Sequence, residues 1–229
     1  MIGFDSLRAW WWMRGYARFY ARPKTSQQGK YAMNAGSEDA FNVLVRELIT
    51  IIKPSPNDVV LDVGGGDGRL AREVFHCCRK VVVLDRYLSG GRAVSDFVVG
   101  DMHHPPFKAG SFTIVFSYST FATVGAPGSV PEMLERWSSL LQSRGVMFVG
   151  DIPERSRVRA ALARGLTKDS VMRTLKYYIA IGLITYFSRE KLRRQVAAMG
   201  YDVAMIDQSP GRRFYRERFD FIARRCGNA

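Results

Sequence analysis

The residues best suited to chemistry begin at Asp62-Val63-Gly64-Gly65-Gly66-Asp67-Gly68, where a carboxylate stands immediately before glycines at 64, 66 and 68. Glycines at this spacing let the chain turn tightly and let a ligand lie against bare backbone. Asp62, just before them, suits a ligand that carries an ammonium group. Asp85 ends the next apolar run, 17 residues after Gly68. A carboxylate at that place can accept from both hydroxyls of a ribose. Asp101 follows a third run, in Val99-Gly100-Asp101-Met102, and can accept from the exocyclic amine of an adenine. Gly66-Asp67-Gly68-Arg69-Leu70-Ala71 also satisfies the GxGxxA form of the dinucleotide fingerprint. A nicotinamide enzyme would share the ribose acid at 85 and would not need the acid at 101.

These groups need a scaffold that brings them to one edge. Residues 58–63 are β-branched and apolar and predict a buried parallel strand, followed by a helix over 69–78 whose unpaired N–H groups suit a carboxylate or phosphate. Further strands are predicted at 81–85, 97–99, 112–116 and 146–149. Apolar spacing through Val130, Met133, Leu134, Trp137 and Leu141 predicts a helix over 129–142 that Gly145 stops. Strands alternating with helices imply a doubly wound, mostly parallel α/β sheet. Residues 153–187 lack strand alternation and read as a helical insertion after strand five. Ser188 is then the N-cap of a helix running to Met199, and 201–206 with 219–223 form a closing antiparallel hairpin. Ahead of the first strand, helices are expected over 7–20 and 37–52. The reading divides the chain into a basic, aromatic N-terminal segment, 1–36, and one domain, 37–229, with a cap insertion at about 153–187.

DVVLDVGGGDGRLA, VVVLDRY and VVGDMHHPPFKAGSFTIVF resemble, in order, the first four motifs of the class I S-adenosylmethionine-dependent methyltransferases, which have a Rossmann-like fold. LERWSSLLQSRGVMFVGD and YFSREKLRRQVAAMGYDV resemble that family's later elements, so the likeness covers roughly 40–151 and 186–225. The resemblance implies a seven-stranded sheet and S-adenosyl-L-methionine as cofactor. It places the cofactor on Asp62, Gly64, Gly66 and Gly68, on Asp85, and on Asp101 with Met102; Gly65, Arg86 and Ser117, at the same strand ends, complete the set of candidate cofactor residues. It says nothing about the acceptor.

Methyl transfer from a sulfonium is an in-line displacement in which the protein supplies position and sometimes a base. A base should lie near the carboxyl ends of strands four and five, where Ser117, Tyr118, Ser119, Thr120 and Asp151 stand. His103 and His104 follow Asp101 and offer imidazoles of ordinary basicity. The catalytic candidates are His103, His104 and Tyr118. No further ligand motif accompanies Asp101, His103 and His104, so no metal site is expected. His104-Pro105-Pro106-Phe107 precedes strand four, which disfavours the amino-group methylation of nucleobases or glutamine associated with an NPPF-type motif after that strand.

The net charge of +13 is concentrated at the margins. Residues 1–30 hold six basic and one acidic side chain, 153–195 eleven and three, and 211–229 six and two. The rest carries a net −4. Such a field favours an anionic partner: a phosphorylated or carboxylated small molecule, an acidic membrane surface, or RNA. Arg14, Arg18 and Arg22 share a helical face among Trp10, Trp11, Trp12, Phe19 and Tyr20. That segment suits a cover over the cofactor pocket, a peripheral contact at the inner membrane face, or an RNA-binding arm. The apolar run 177–187 is too short to span a bilayer, and neither a signal peptide nor a disulfide framework is expected from the N-terminus and from Cys77, Cys78 and Cys226. A cytoplasmic enzyme is therefore expected, acting on a small-molecule, saccharide or glycolipid-like acceptor. RNA methylation is the alternative, and a cofactor-binding scaffold without turnover is a third reading.

Overall fold

The computed structural model describes residues 37–86, 96–124, 129–157, 185–212 and 215–225. The helix expected over 7–20 and most of the 153–187 insertion lie outside these residues.

The first element is helix α1 (Glu38–Ile52), capped by Ser37, whose hydroxyl accepts the Ala40 N–H at 3.2 Å. It buries one stripe, Phe41, Leu44, Leu48 and Ile52, at helical spacing. Strand β1 (Val59–Val63) leads through the glycine turn into α2 (Arg69–Val74), and β2 (Lys80–Asp85) and β3 (Asp96–Val99) follow. Strand β4 (Phe112–Tyr118), a short 3-10 turn (Phe121–Thr123), α3 (Val130–Leu140) and β5 (Leu141–Pro153) come next. The chain closes with α4 (Arg189–Ala198), β6 (Tyr201–Asp207) and β7 (Arg218–Arg225).

The seven strands form one sheet in the order β3-β2-β1-β4-β5-β7-β6. The first five pair in parallel, while β7 runs antiparallel to both β5 and β6. The expected doubly wound sheet with its closing hairpin is thus observed. Successive strand residues point to opposite faces. Val60, Ile114, Phe116 and Phe148 pack with α1 and α2, and Leu61, Val63, Val115 and Met147 pack with α3 and α4. Burial on both faces explains why β1 and β4 read as continuous apolar runs. The chain order reverses between β1 and β4, the switch point where ligands of such sheets bind.

Several boundaries differ from the sequence expectation, β5 among them, which runs over Leu141–Pro153 rather than 146–149. Helix α2 stops at Val74, where the Phe75 backbone leaves helical geometry (φ −112°, ψ 26°) and its ring packs edge-on against Phe116. Gly145 does not stop α3. That helix ends at Leu140, and Leu141 is already extended and paired with Phe112. The register then shifts before Ile114 pairs with Val146, and a Cβ on Gly145 would lie 2.8 Å from the Leu141 side chain. Gly145 therefore serves close packing in an irregular strand entry. The hairpin strands also extend beyond their predicted ends, to Asp207 and Arg225. Ser188 caps α4 as expected, accepting the Lys191 N–H at 3.3 Å.

Candidate active site

The glycine turn is fixed from both sides. The Gly64 N–H donates to the Leu84 carbonyl at 2.7 Å, tying the end of β1 to β2, and the Gly68 N–H closes onto Gly65 at 2.9 Å. Gly65 is required by space, since a Cβ there would stand 2.2 Å from Asp62 Oδ2 and 2.9 Å from Val83 Cγ1. Gly66 is required by conformation instead: its φ is +62°, and among the described residues nothing lies within 4 Å of where a Cβ would be. The backbone is thus bare and open at Gly66, directly above a packed floor.

Beneath that turn Asp62 is buried, 1% exposed, and its Oδ2 has no hydrogen-bond partner among the described residues. Burial pushes its carboxyl well above the usual range, with the nearby charges of Asp85 and Asp67 adding to the shift. An unsatisfied buried carboxylate is costly, and an ammonium group placed on it would relieve both the lost hydrogen bond and the lost charge partner. The residues present therefore fit a ligand with an amino-acid end and an adenosine end.

Register brings the other acids to the same edge. Asp85 pairs with Val99 across β2 and β3, and the Gly100 N–H donates to the Asp85 carbonyl at 3.0 Å. The Gly66 N–H donates to Asp85 Oδ2 at 2.9 Å. Asp101 accepts from Arg86 Nη2 at 2.8 Å and from the His103 N–H at 2.9 Å. Partial burial works against its charge, yet the His103 N–H and the Arg86 guanidinium hold the carboxyl below the usual range. Met102 is half-buried against the core, and its carbonyl accepts from Trp137 Nε1 at 2.8 Å. Asp62, the glycines, Asp85, Arg86, Asp101 and Met102 thus occupy the ends of β1, β2 and β3.

The remaining sequence candidates separate. Ser117 is fully buried and spends its hydroxyl on the Val63 carbonyl at 2.9 Å, so the structure gives it the task of holding β4 to β1. Tyr118 is buried too; desolvation, then the charges of Asp151 and Asp220, push its phenol well above the ordinary value. It stays protonated through the neutral range and is unsuited to act as a base there. His103 and His104 sit in the turn after β3, near Glu132 at the start of α3.

A polar group at the ends of β4 and β5 was only half legible in sequence. Ser119 and Asp151 are both left-handed, at φ +62° and +63°. The Ser119 hydroxyl donates to Asp151 Oδ2 at 2.5 Å, and Arg218 Nη1 donates to the same oxygen at 2.5 Å and to the Asp151 carbonyl at 3.1 Å. The Asp151 N–H donates to Asp220 Oδ1 at 2.8 Å, which also accepts from Gln208 Nε2 at 2.8 Å. Arg212 pairs with Asp220 and reaches Glu47 on α1 at 2.8 Å. Sequence put Ser119 and Asp151 near the acceptor; Arg218 and Asp220 come from β7 and carried no local motif. Next to Ser119, Thr120 packs on the glycine turn, its Oγ1 3.3 Å from the Gly64 carbonyl.

The family described as methyltransferase domain matches residues 37–205. No curated protein matches the chain in sequence. Among solved structures, a Burkholderia thailandensis 1,6-didemethyltoxoflavin-N1-methyltransferase, with bound 1,6-didemethyltoxoflavin and S-adenosylhomocysteine, is similar at TM-score 0.63. It is 16% identical, over 96% of this chain and 87% of that one. Magnesium protoporphyrin IX methyltransferase from Synechocystis PCC 6803, with bound S-adenosylhomocysteine, is similar at TM-score 0.57 and 15% identity, over 96% and 98%. A chain from the complex between the Haloferax volcanii Trm112 methyltransferase activator and a methyltransferase is similar at TM-score 0.63 and 16% identity, over 91% and 96%.

Proposed function

The chain belongs to the methyltransferase-domain family, as an S-adenosylmethionine-dependent enzyme of the class I fold, and from that premise we propose that it methylates a small-molecule acceptor. The cofactor assignment is carried by one observation: the buried Asp62 Oδ2, without a partner among the described residues, beneath the glycine turn, with Asp85 and Asp101 at the adjacent strand ends. Asp62 holds the ammonium group, and the bare backbone at Gly66 admits the chain of the amino-acid end. Asp85 accepts from the ribose hydroxyls, and Asp101 with Met102 meets the adenine. When bound, S-adenosylmethionine supplies an electrophilic methyl group on its sulfonium. The chain's own contribution is orientation: Gly66 tethers Asp85, the His103 N–H and Arg86 fix Asp101, and Thr120 sets the glycine turn against the end of β4.

A small acceptor is supported by two features. The similar structures from Burkholderia and Synechocystis are named for small-molecule substrates. The acceptor-side edge of the sheet holds the buried Tyr118 and the ion pair of buried Asp151 with half-buried Arg218, which suit a compact group better than a polymer. A saccharide or glycolipid-like acceptor falls in the same reading. The alternative, RNA, rests on the +13 charge. Incubating the protein with methyl-labelled S-adenosylmethionine and separated low-mass, lipid and RNA fractions of a cell extract distinguishes them. Label is expected in the low-mass or lipid fraction. Label in RNA alone, falling steeply with salt, overturns the small-molecule reading.

A further inference from the structure

The glycine turn carries a second charged group with an unsatisfied buried atom. Arg69, the residue after Gly68, is mostly buried, its side chain 18% exposed. Its Nη1 is enclosed without a hydrogen-bond partner among the described residues. The other terminal nitrogen, Nη2, donates to Glu38 at 2.5 Å, and the guanidinium carbon lies 4.1 Å from the centre of the Phe41 ring. Glu38 and Phe41 belong to the start of α1. An ion pair and an aromatic face therefore hold the guanidinium in one orientation. Its Nη1 is a donor that costs free energy while nothing accepts from it.

The surroundings of the turn are acidic, with Asp67 and Asp85 close enough to Asp62 to raise its carboxyl. An amino-acid ligand brings a carboxylate as well as an ammonium group, and these acids repel the carboxylate. The backbone offers little relief at residue 69, because the Arg69 N–H is already spent on Asp67 Oδ1 at 3.0 Å. Helix α2 has only six residues, so few peptide dipoles add up behind the turn. The counter-charge is left to a side chain, and Arg69 adjoins the turn at the end opposite Asp62. A carboxylate on Nη1 would satisfy the enclosed donor, as an ammonium group on Asp62 Oδ2 would satisfy the enclosed acceptor.

We propose that Arg69 binds the carboxylate of the cofactor's amino-acid end, so that Asp62 and Arg69, at the two ends of one turn, select a ligand bearing both charges of an α-amino acid. The inference rests on the placement of S-adenosylmethionine at the glycine turn given above. It makes Arg69 a specificity-determining residue, since an adenosine compound without the carboxylate forgoes this contact. Through Glu38 and Phe41 the same guanidinium ties the start of α1 to the turn.

The test compares S-adenosylhomocysteine with decarboxylated S-adenosylhomocysteine, which keeps the ammonium group and lacks the carboxylate. By calorimetry the wild type is expected to prefer the first by about tenfold or more. Arg69→Met keeps an unbranched stem against Phe41 and removes the donors. It should bind S-adenosylhomocysteine about tenfold or more weakly, with its affinity for the decarboxylated form held within about twofold. Glu38→Gln breaks the same ion pair but keeps the guanidinium, and should retain the wild-type preference. If Arg69→Met weakens both ligands alike, or Glu38→Gln erases the preference as fully, Arg69 serves to anchor α1 and the proposal is overturned. Equal affinity of the wild type for the two ligands overturns it without any variant, should Arg69→Met not fold. Binding of neither ligand by the wild type would instead defeat the cofactor placement, and the proposal with it.

Discussion

The Gly66 N–H donates to Asp85 Oδ2 at 2.9 Å, so the tip of the turn after β1 is tied to the acid that ends β2. The same carboxylate is the one expected to take the ribose hydroxyls, and tethering it in advance removes rotamer freedom that a ligand would otherwise have to freeze.

Asp85→Ala is accordingly expected to weaken S-adenosylhomocysteine binding by about 1–3 kcal/mol, the range for a hydrogen-bonded charged group. Titration calorimetry on the folded variant measures it. Unchanged affinity would remove Asp85 from the site.

Asp62 gives a prediction with a definite sign in pH. Its carboxyl is raised by burial and by Asp85 and Asp67, so the folded, ligand-free protein holds that proton more tightly than the unfolded chain does. This contribution to stability is full below the unfolded value, about pH 4, and is lost as pH rises through the higher folded value. Asp62→Asn removes the dependence. The variant should melt higher than wild type at neutral pH without ligand, and it should bind S-adenosylhomocysteine about tenfold or more weakly. Melting curves across pH and parallel calorimetry check both. A variant that melts lower at neutral pH and binds normally would show Asp62 to be structural.

Arg212 is 6% exposed and Asp220 fully buried, and their pair joins α1 through Glu47 to the backbone of Asp151. Removing one partner strands a buried charge. Arg212→Ala should cost about 3–5 kcal/mol, a fall in melting temperature of roughly 10 °C. Arg194→Ala, which breaks an exposed pair with Glu190 on α4, should leave melting unchanged within error. Equal effects of the two would contradict the weight placed on burial.

How much of this was written in the sequence follows from range. Asp62, the glycines, Asp85 and Asp101 are each fixed by their position at a strand end, and strands buried on both faces are plain as apolar runs. The doubly wound, mostly parallel sheet followed from the alternation of elements. Gly145 misled because a glycine after a helix usually ends it, whereas here it makes room for Leu141. Ser117 and Tyr118 stood at the right strand end, yet the pleat turned one hydroxyl onto Val63 and buried the other beside two acids. Arg212, Arg218 and Asp220 reach the site from the closing hairpin, about 60 to 70 residues beyond Asp151, and nothing in their local sequence marks it. Side-chain pairing across that distance is decided by tertiary packing, which periodicity does not encode.

The account stands most directly on which nucleotide the site at Asp62, Asp85 and Asp101 accepts. Calorimetric titration of the purified protein with S-adenosylmethionine, S-adenosylhomocysteine and NADH is the measurement. Micromolar binding of the first two with no binding of NADH is the predicted result. Binding of NADH alone would contradict it, and the glycine turn would then be a dinucleotide site with Asp101 outside it.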